Sequence, residues 1–232
     1  MEVMLVFLDR RSESPREVIF PEMRQYAAEL SQRGTMRSGA PLRPESEGVR
    51  VRLQRGAAQV LDGPFAESKE VVSGFILLDV PSFADALELA KRCPAARVGP
   101  VDVRKAMADR EADPPAGSRR WLLLFLESPA AEGDPDGSKY EAMTRWTDEL
   151  RRDRKYVECA GLPKSHPGAR VEQRGGKTAV SDGPFAESKE IVGGYALVEA
   201  KSRDEALAIA KRCPHAAWGD VEVREVLQVP AA

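Results

Sequence analysis

Aromatic side chains make up only 6% of the 232 residues, histidine occurs twice and cysteine three times. Cys93, Cys159 and Cys213 have neither CxxC spacing nor an even count, which excludes a disulfide framework or zinc knuckle and fits a reducing compartment. Charge of one sign is also missing: Lys+Arg 35 stands against Asp+Glu 37, a net charge of -2. No basic cluster stands out, so direct nucleic-acid binding is not expected. The longest early apolar run, Val3 to Leu8, follows acidic Glu2 and stops at Asp9. It is too short for a signal segment or membrane span, and the chain reads as soluble and cytoplasmic. No P-loop, GxGxxG, nucleophile elbow or HExxH occurs. His215 beside Cys213 supplies two candidate ligands where a metal site needs three or four, so neither metal nor cofactor is expected.

What is present is a repeat. Asp62 to Glu70, DGPFAESKE, recurs unchanged at Asp182 to Glu190. The same offset of 120 residues aligns Lys91 to Pro94 with Lys211 to Pro214, Val101 to Arg104 with Val221 to Arg224, and Met23, Tyr26 and Leu30 with Met143, Trp146 and Leu150. The domains are therefore read as 1–107 and 121–232. The polar, proline-bearing segment 108–120 is read as a linker.

Each copy opens with an apolar strand, Val3 to Leu8 or Trp121 to Leu126. A helix follows with one apolar face, Phe20, Met23, Tyr26, Ala27 and Leu30, and Gly34 where a C-terminal cap belongs. In the second copy Ser138 and Glu141 have capping-box spacing. Alternating stretches around Arg55-Gly56 and Gly175-Gly176 predict hairpins. The strand Val71 to Val80, or Ile191 to Ala200, comes next. A second helix starts at Ser82 or Ser202 and stops at Pro94 or Pro214. Alternation at Val101 to Arg104 predicts a closing strand buried on one side.

Strand, helix, strand or hairpin, strand, helix, strand is the split βαβ, ferredoxin-like order of an α+β fold. Two helices cover one sheet face, and the other face still carries apolar side chains. The expectation is two tandem ferredoxin-like domains packed sheet-to-sheet within one chain, about 10 Å apart, as a monomer with an internal pseudo-two-fold.

The DGPFAESKE loop, the following Gly74-Phe75 or Gly194-Tyr195, the Lys-Arg-Cys-Pro helix end and the Val-Glu-Val-Arg strand resemble the YCII-related, or DGPF-domain, proteins. The resemblance implies a dimeric α/β barrel, here with both subunits on one polypeptide. It implies no defined general activity, and a regulatory link to an extracytoplasmic-function sigma factor or another regulatory protein. Members of the founding branch resemble an enzyme through a His–Asp dyad with its histidine on the first helix. Neither first helix here contains histidine, and His166 and His215 fall elsewhere, so that dyad is not carried over.

Two readings of the repeated loop stand side by side. In one, Asp62 and Asp182 fix a tight turn by accepting backbone N–H bonds two residues on, and Phe65 plugs the core. In the other, Asp62 or Asp182 is a general acid/base or ligand contact in a cleft. Lys69 or Lys189 then binds an anionic group, Glu67, Glu70, Glu187 and Glu190 line the loop, and strand residues Arg50, Arg104, Arg170 and Arg224 fork onto a carboxylate. Cys93 and Cys213 read as small buried hydrophobes. The function classes left open are a small-ligand-binding or regulatory module, a small-molecule enzyme using the loop aspartate, and a scaffold in which the loop serves stability alone.

Overall fold

The computed structural model describes residues 1–10, 19–65, 70–110, 119–131, 133–164, 168–183 and 190–227. In the first copy, strand β1 (Glu2–Arg10) leads to helix α1 (Phe20–Gln32) and strand β2 (Met36–Pro41). Strands β3 (Val49–Gln54) and β4 (Ala57–Asp62) form a hairpin, followed by β5 (Glu70–Asp79), α2 (Phe83–Arg92), β6 (Val101–Lys105) and β7 (Met107–Arg110). The second copy repeats this as β8 (Arg120–Glu127), α3 (Ser138–Arg152), β9 (Tyr156–Gly161), β10 (Ala169–Arg174), β11 (Lys177–Asp182), β12 (Ile191–Glu199), α4 (Arg203–Lys211) and β13 (Asp220–Glu225).

Local chemistry accounts for most of these boundaries. The Ser82 hydroxyl accepts the Asp85 N–H at 3.2 Å, and Ser202 does the same for Glu205 at 3.2 Å. Each serine satisfies one backbone donor that its helix start leaves open. The hairpin turns have positive φ at both central residues, 52° and 78° at Arg55-Gly56 and 54° and 75° at Gly175-Gly176, matching the right-handed twist of the flanking strands. The capping box expected at Ser138 does not form. Ser138 is already helical, Gly137 precedes it at φ 75°, and the Asp134 carboxylate accepts the N–H groups of Lys139 at 3.1 Å and Tyr140 at 2.7 Å instead.

The described residues fall into two compact units, each with strands from both copies. The first is a six-stranded sheet in the order β11-β10-β6-β1-β5-β2, and the second a seven-stranded sheet in the order β4-β3-β13-β8-β12-β9-β7. Within them, β6-β1-β5-β2 and β13-β8-β12-β9 each have the antiparallel ferredoxin-like order. The hairpins have crossed over. Val49, Arg50 and Val51 pair with Val223, Glu222 and Val221, while Ala169, Arg170 and Val171 pair with Val103, Asp102 and Val101.

This corrects the reading of the hairpin as the domain's own second strand. That place belongs to β2 and β9, whose Gly39 and Pro41, or Gly161, disguise them as loop. The segment read as a linker starts as structure too, since β7 is the edge strand beside β9.

In the first unit α1 and α2 cover one sheet face. Val3, Leu5, Phe7, Tyr26, Leu30, Ala86, Ala90, Val101 and Val103 form its core together with Val171 from the visiting hairpin. The second core mirrors this with Leu123, Phe125, Trp146, Leu150, Ile209 and Val221 around visiting Val49 and Val51. Each buried valine contributes about 2 kcal/mol of transfer free energy, so the visiting strands are part of the cores they join. Met4, Val6, Phe75 and Leu77 on the opposite face of the first sheet are also buried.

Candidate functional site

The repeated loop begins where each visiting hairpin ends. Asp62 is the last residue of β4, and its side chain is 73% exposed and paired with Arg203. The residue two beyond it is Pro64, which has no N–H to give, so the expected turn bond is replaced. The Gly63 N–H donates to the Gly48 carbonyl at 3.0 Å, and Gly183 repeats this to Gly168 at 2.9 Å. A Cβ on Gly63 would lie 2.0 Å from the Glu45 carbonyl oxygen, which explains why glycine follows the aspartate. Phe65 is buried as expected. Asp182 is exposed, like Asp62. Glu67, Lys69, Glu187, Lys189 and His166 lie outside the described residues.

The hairpin arginines meet the end of the loop. In the second unit, Arg50 on β3 donates through Nη1 to Glu190 at 2.9 Å and through Nε to Glu222 at 3.0 Å. Its guanidinium lies 4.3 Å from the centre of the Phe65 ring, in cation–π range. Glu222 also accepts from Arg224 Nη1 at 2.9 Å, and Arg224 Nε donates to the Arg43 carbonyl at 3.0 Å. In the first unit, Arg170 on β10 forks onto Asp102 at 2.6 and 3.1 Å and reaches Glu70 at 3.1 Å. Arg10 adds a bond to Glu172 at 2.6 Å. Burial raises the Asp102 carboxyl above its usual range, while the Arg170 charge pulls it back.

Six of the sequence-derived candidates, Arg50, Glu190 and Arg224, and Arg170, Glu70 and Arg104, thus gather around two equivalent acids, Glu222 and Asp102. Arg104 and Arg224 are buried, and a Cβ on Gly168 or Gly48 would stand 2.7 or 2.6 Å from the Cδ of Arg104 or Arg224. These glycines let a loop lie directly on the arginine stem.

Other candidate groups are core. His215 is buried, stacks on Phe125 at 5.2 Å between ring centres, and places Nε2 3.0 Å from the Leu126 carbonyl. Burial lowers its pKa below the usual imidazole value. Burial pushes the Cys93 and Cys159 thiols up to about 12 and raises Cys213 as well, so at neutral pH all three are thiols. Among the described residues no group of three or more His, Cys, Asp or Glu is arranged to hold a metal, and no helix is long and apolar enough to cross a membrane. A shallow recess of about 290 Å³ is lined by Glu149, Arg152, Asp153 and Arg212.

One polar pair escaped the sequence. The Tyr195 hydroxyl donates to Glu158, which is fully buried on β9, and Arg110 Nε lies 3.8 Å from the second carboxylate oxygen. The corresponding first-copy residues are Phe75 and Ser38. One position differs by a hydroxyl, Phe75 against Tyr195, and the other by a carboxylate, Ser38 against Glu158, and that joint difference between copies is the signal that could have found them.

The chain is similar to known proteins in the following respects. The family model for the YCII-related domain matches residues 1–108 and again 120–230. "Uncharacterized protein R00369" of Rhizobium meliloti (strain 1021) is 40% identical over 79 residues, a match that covers 31% of this chain and 64% of that protein. A solved structure from Fusobacterium nucleatum subsp. nucleatum, named "Putative monooxygenase (FN1347)", aligns over 97% of this chain and 93% of its own at 6% identity and a TM-score of 0.40. With both copies of the chain matched from end to end, the protein belongs to the YCII-related domain family and carries that domain twice on one polypeptide.

Proposed function

We propose that this chain is a small-ligand-binding or regulatory module, not an enzyme built on the loop aspartates. The observation that carries the reading is the pairing of Arg50 with Glu190 and Glu222, and of Arg170 with Glu70 and Asp102. The charged residues that would line a catalytic cleft hold a hairpin to a sheet. Asp62 and Asp182 are also exposed, and Asp62 is already paired with Arg203. In the regulatory form of this reading the partner is a protein such as an extracytoplasmic-function sigma factor.

The test is native mass spectrometry of the freshly purified full chain beside an Asp62→Asn/Asp182→Asn double variant. A small-molecule mass retained equally by both supports a binding module. Loss of that mass only in the double variant puts the aspartates in the ligand site and reinstates the enzyme reading. Bare chains of 25.4 kDa in both leave the regulatory form, which co-purification with the sigma factor then decides.

A further inference from the structure

Among the described residues the sheets end in four edge strands, β11 and β2 in one unit and β4 and β7 in the other. Three carry devices that discourage further pairing: Lys177 on β11, Arg37 and Pro41 on β2, and Asp109 and Arg110 on β7. β4 has none along Ala57-Ala58-Gln59-Val60-Leu61, and its only charge is the terminal Asp62. All six of its residues are exposed, with Val60 at 42% and Leu61 at 60%. Beyond the two-residue turn, alternation along the ladder aims the backbone groups of Ala57, Gln59 and Leu61 at β3. Those of Ala58, Val60 and Asp62 face outward. Among the described residues β4 pairs with β3 alone.

We propose that β4 is a self-association edge, pairing antiparallel with β4 of a second copy of this chain about a two-fold axis through Gln59. In that register Ala58 and Val60 of one copy exchange backbone hydrogen bonds with Val60 and Ala58 of the other. Ala57 meets Leu61, the two Gln59 amides face each other, and no like charges are opposed. The ends of the ladder are complementary in charge, because Asp62 comes level with the Arg55-Gly56 turn of the second copy. The outcome is an isologous dimer with one sheet continuous across it. Six residues of edge make a small interface, so the dimer is concentration-dependent, with a dissociation constant in the micromolar range or weaker, roughly. The inference does not depend on the ligand or partner reading above.

The experiment is sedimentation velocity of the full chain across about three decades of concentration, with two variants. Ala58→Pro removes an outward N–H that the hairpin does not use, and Leu61→Lys adds an edge charge. Circular dichroism and melting curves confirm that both variants stay folded. The weight-average mass is expected to climb from 25.4 kDa toward twice that value for the parent. Each variant should weaken association about tenfold or more. A mass that does not change with concentration overturns the proposal. So does a dimer that both variants leave intact, which would place association elsewhere or make it an exchange of domains.

Discussion

Arg50 and Glu190 lie 140 positions apart in the sequence, and their side chains meet at 2.9 Å. The same relationship joins Arg170 to Glu70, 100 positions apart, at 3.1 Å. Each bond runs from a hairpin of one copy to the loop end of the other, beside a buried acid that shares the arginine. An arginine between two carboxylates neutralises charge that would otherwise be stranded in a water-poor setting.

Removing Arg50 strips one of the two arginines from buried Glu222, leaving it Arg224, and leaves Glu190 without the hairpin's charge. Arg50→Ala is expected to destabilise the fold by about 3 kcal/mol, read from chemical denaturation. Glu190→Gln, at a more accessible partner, should lose about 1 kcal/mol. A double-mutant cycle between them is expected to show a coupling of about 1 kcal/mol or more, and additive losses would mean that the pair does not hold the hairpin.

The loop divides into a residue that structure requires and one that it does not. Gly63→Ala forces a methyl into the Glu45 carbonyl, with an expected loss of about 2 kcal/mol or more in the same denaturation assay. Asp62→Asn should stay within about 0.5 kcal/mol, as for other exposed pairs. A large loss from Asp62→Asn would show that the aspartate, not the glycine, holds the turn.

His215 makes stability depend on pH. Its folded pKa lies below the unfolded value of about 6.5, so the unfolded chain binds the extra proton between the two. Stability contributed by neutral His215 is fully present above about pH 6.5 and is lost as pH falls from there toward the folded pKa. The unfolding free energy of the parent should fall more steeply below pH 6.5 than that of His215→Gln. Parallel curves would mean that the imidazole is accessible and ordinary.

The buried phenol and carboxylate of the second copy should behave as a unit. Tyr195→Phe removes the hydroxyl from a fully buried glutamate and should cost about 1–3 kcal/mol. Tyr195→Phe with Glu158→Ser restores the side chains found at Phe75 and Ser38, and is expected to be milder than the sum of the single losses. Thermal melts of the four proteins decide it, and strict additivity would rule out the coupling.

Local signals in the sequence located the first strand of each copy, the hairpins and their turns, the long central strands, the closing strands, the Ser82 and Ser202 caps and the proline stops, because each depends on a few neighbouring residues. Partner choice was not local. The edge offered by Val101-Asp102-Val103-Arg104 is almost the same as that offered by Val221-Glu222-Val223-Arg224, so an alternating hairpin fits either sheet and periodicity alone cannot say which. β2 was hidden by glycine and proline, and the Ser138 cap lost to Asp134, a better-placed carboxylate upstream. Among the site residues, the repeated arginines and Glu70 and Glu190 were legible. Asp102 and Glu222 were not, because they read as the wet side of a strand whose wet side turns out to be buried.

The crossed hairpins have a consequence for how such a duplicated chain can change. Two copies that folded separately could diverge freely, each answering only to itself. Here a substitution at Arg50 is felt at Glu190 and Glu222, and one at Asp102 is felt at Arg170, so compensation must come from the opposite half of the polypeptide. The halves are bound to drift as a matched pair, and neither can be exchanged for a foreign copy unless its counterpart is exchanged with it.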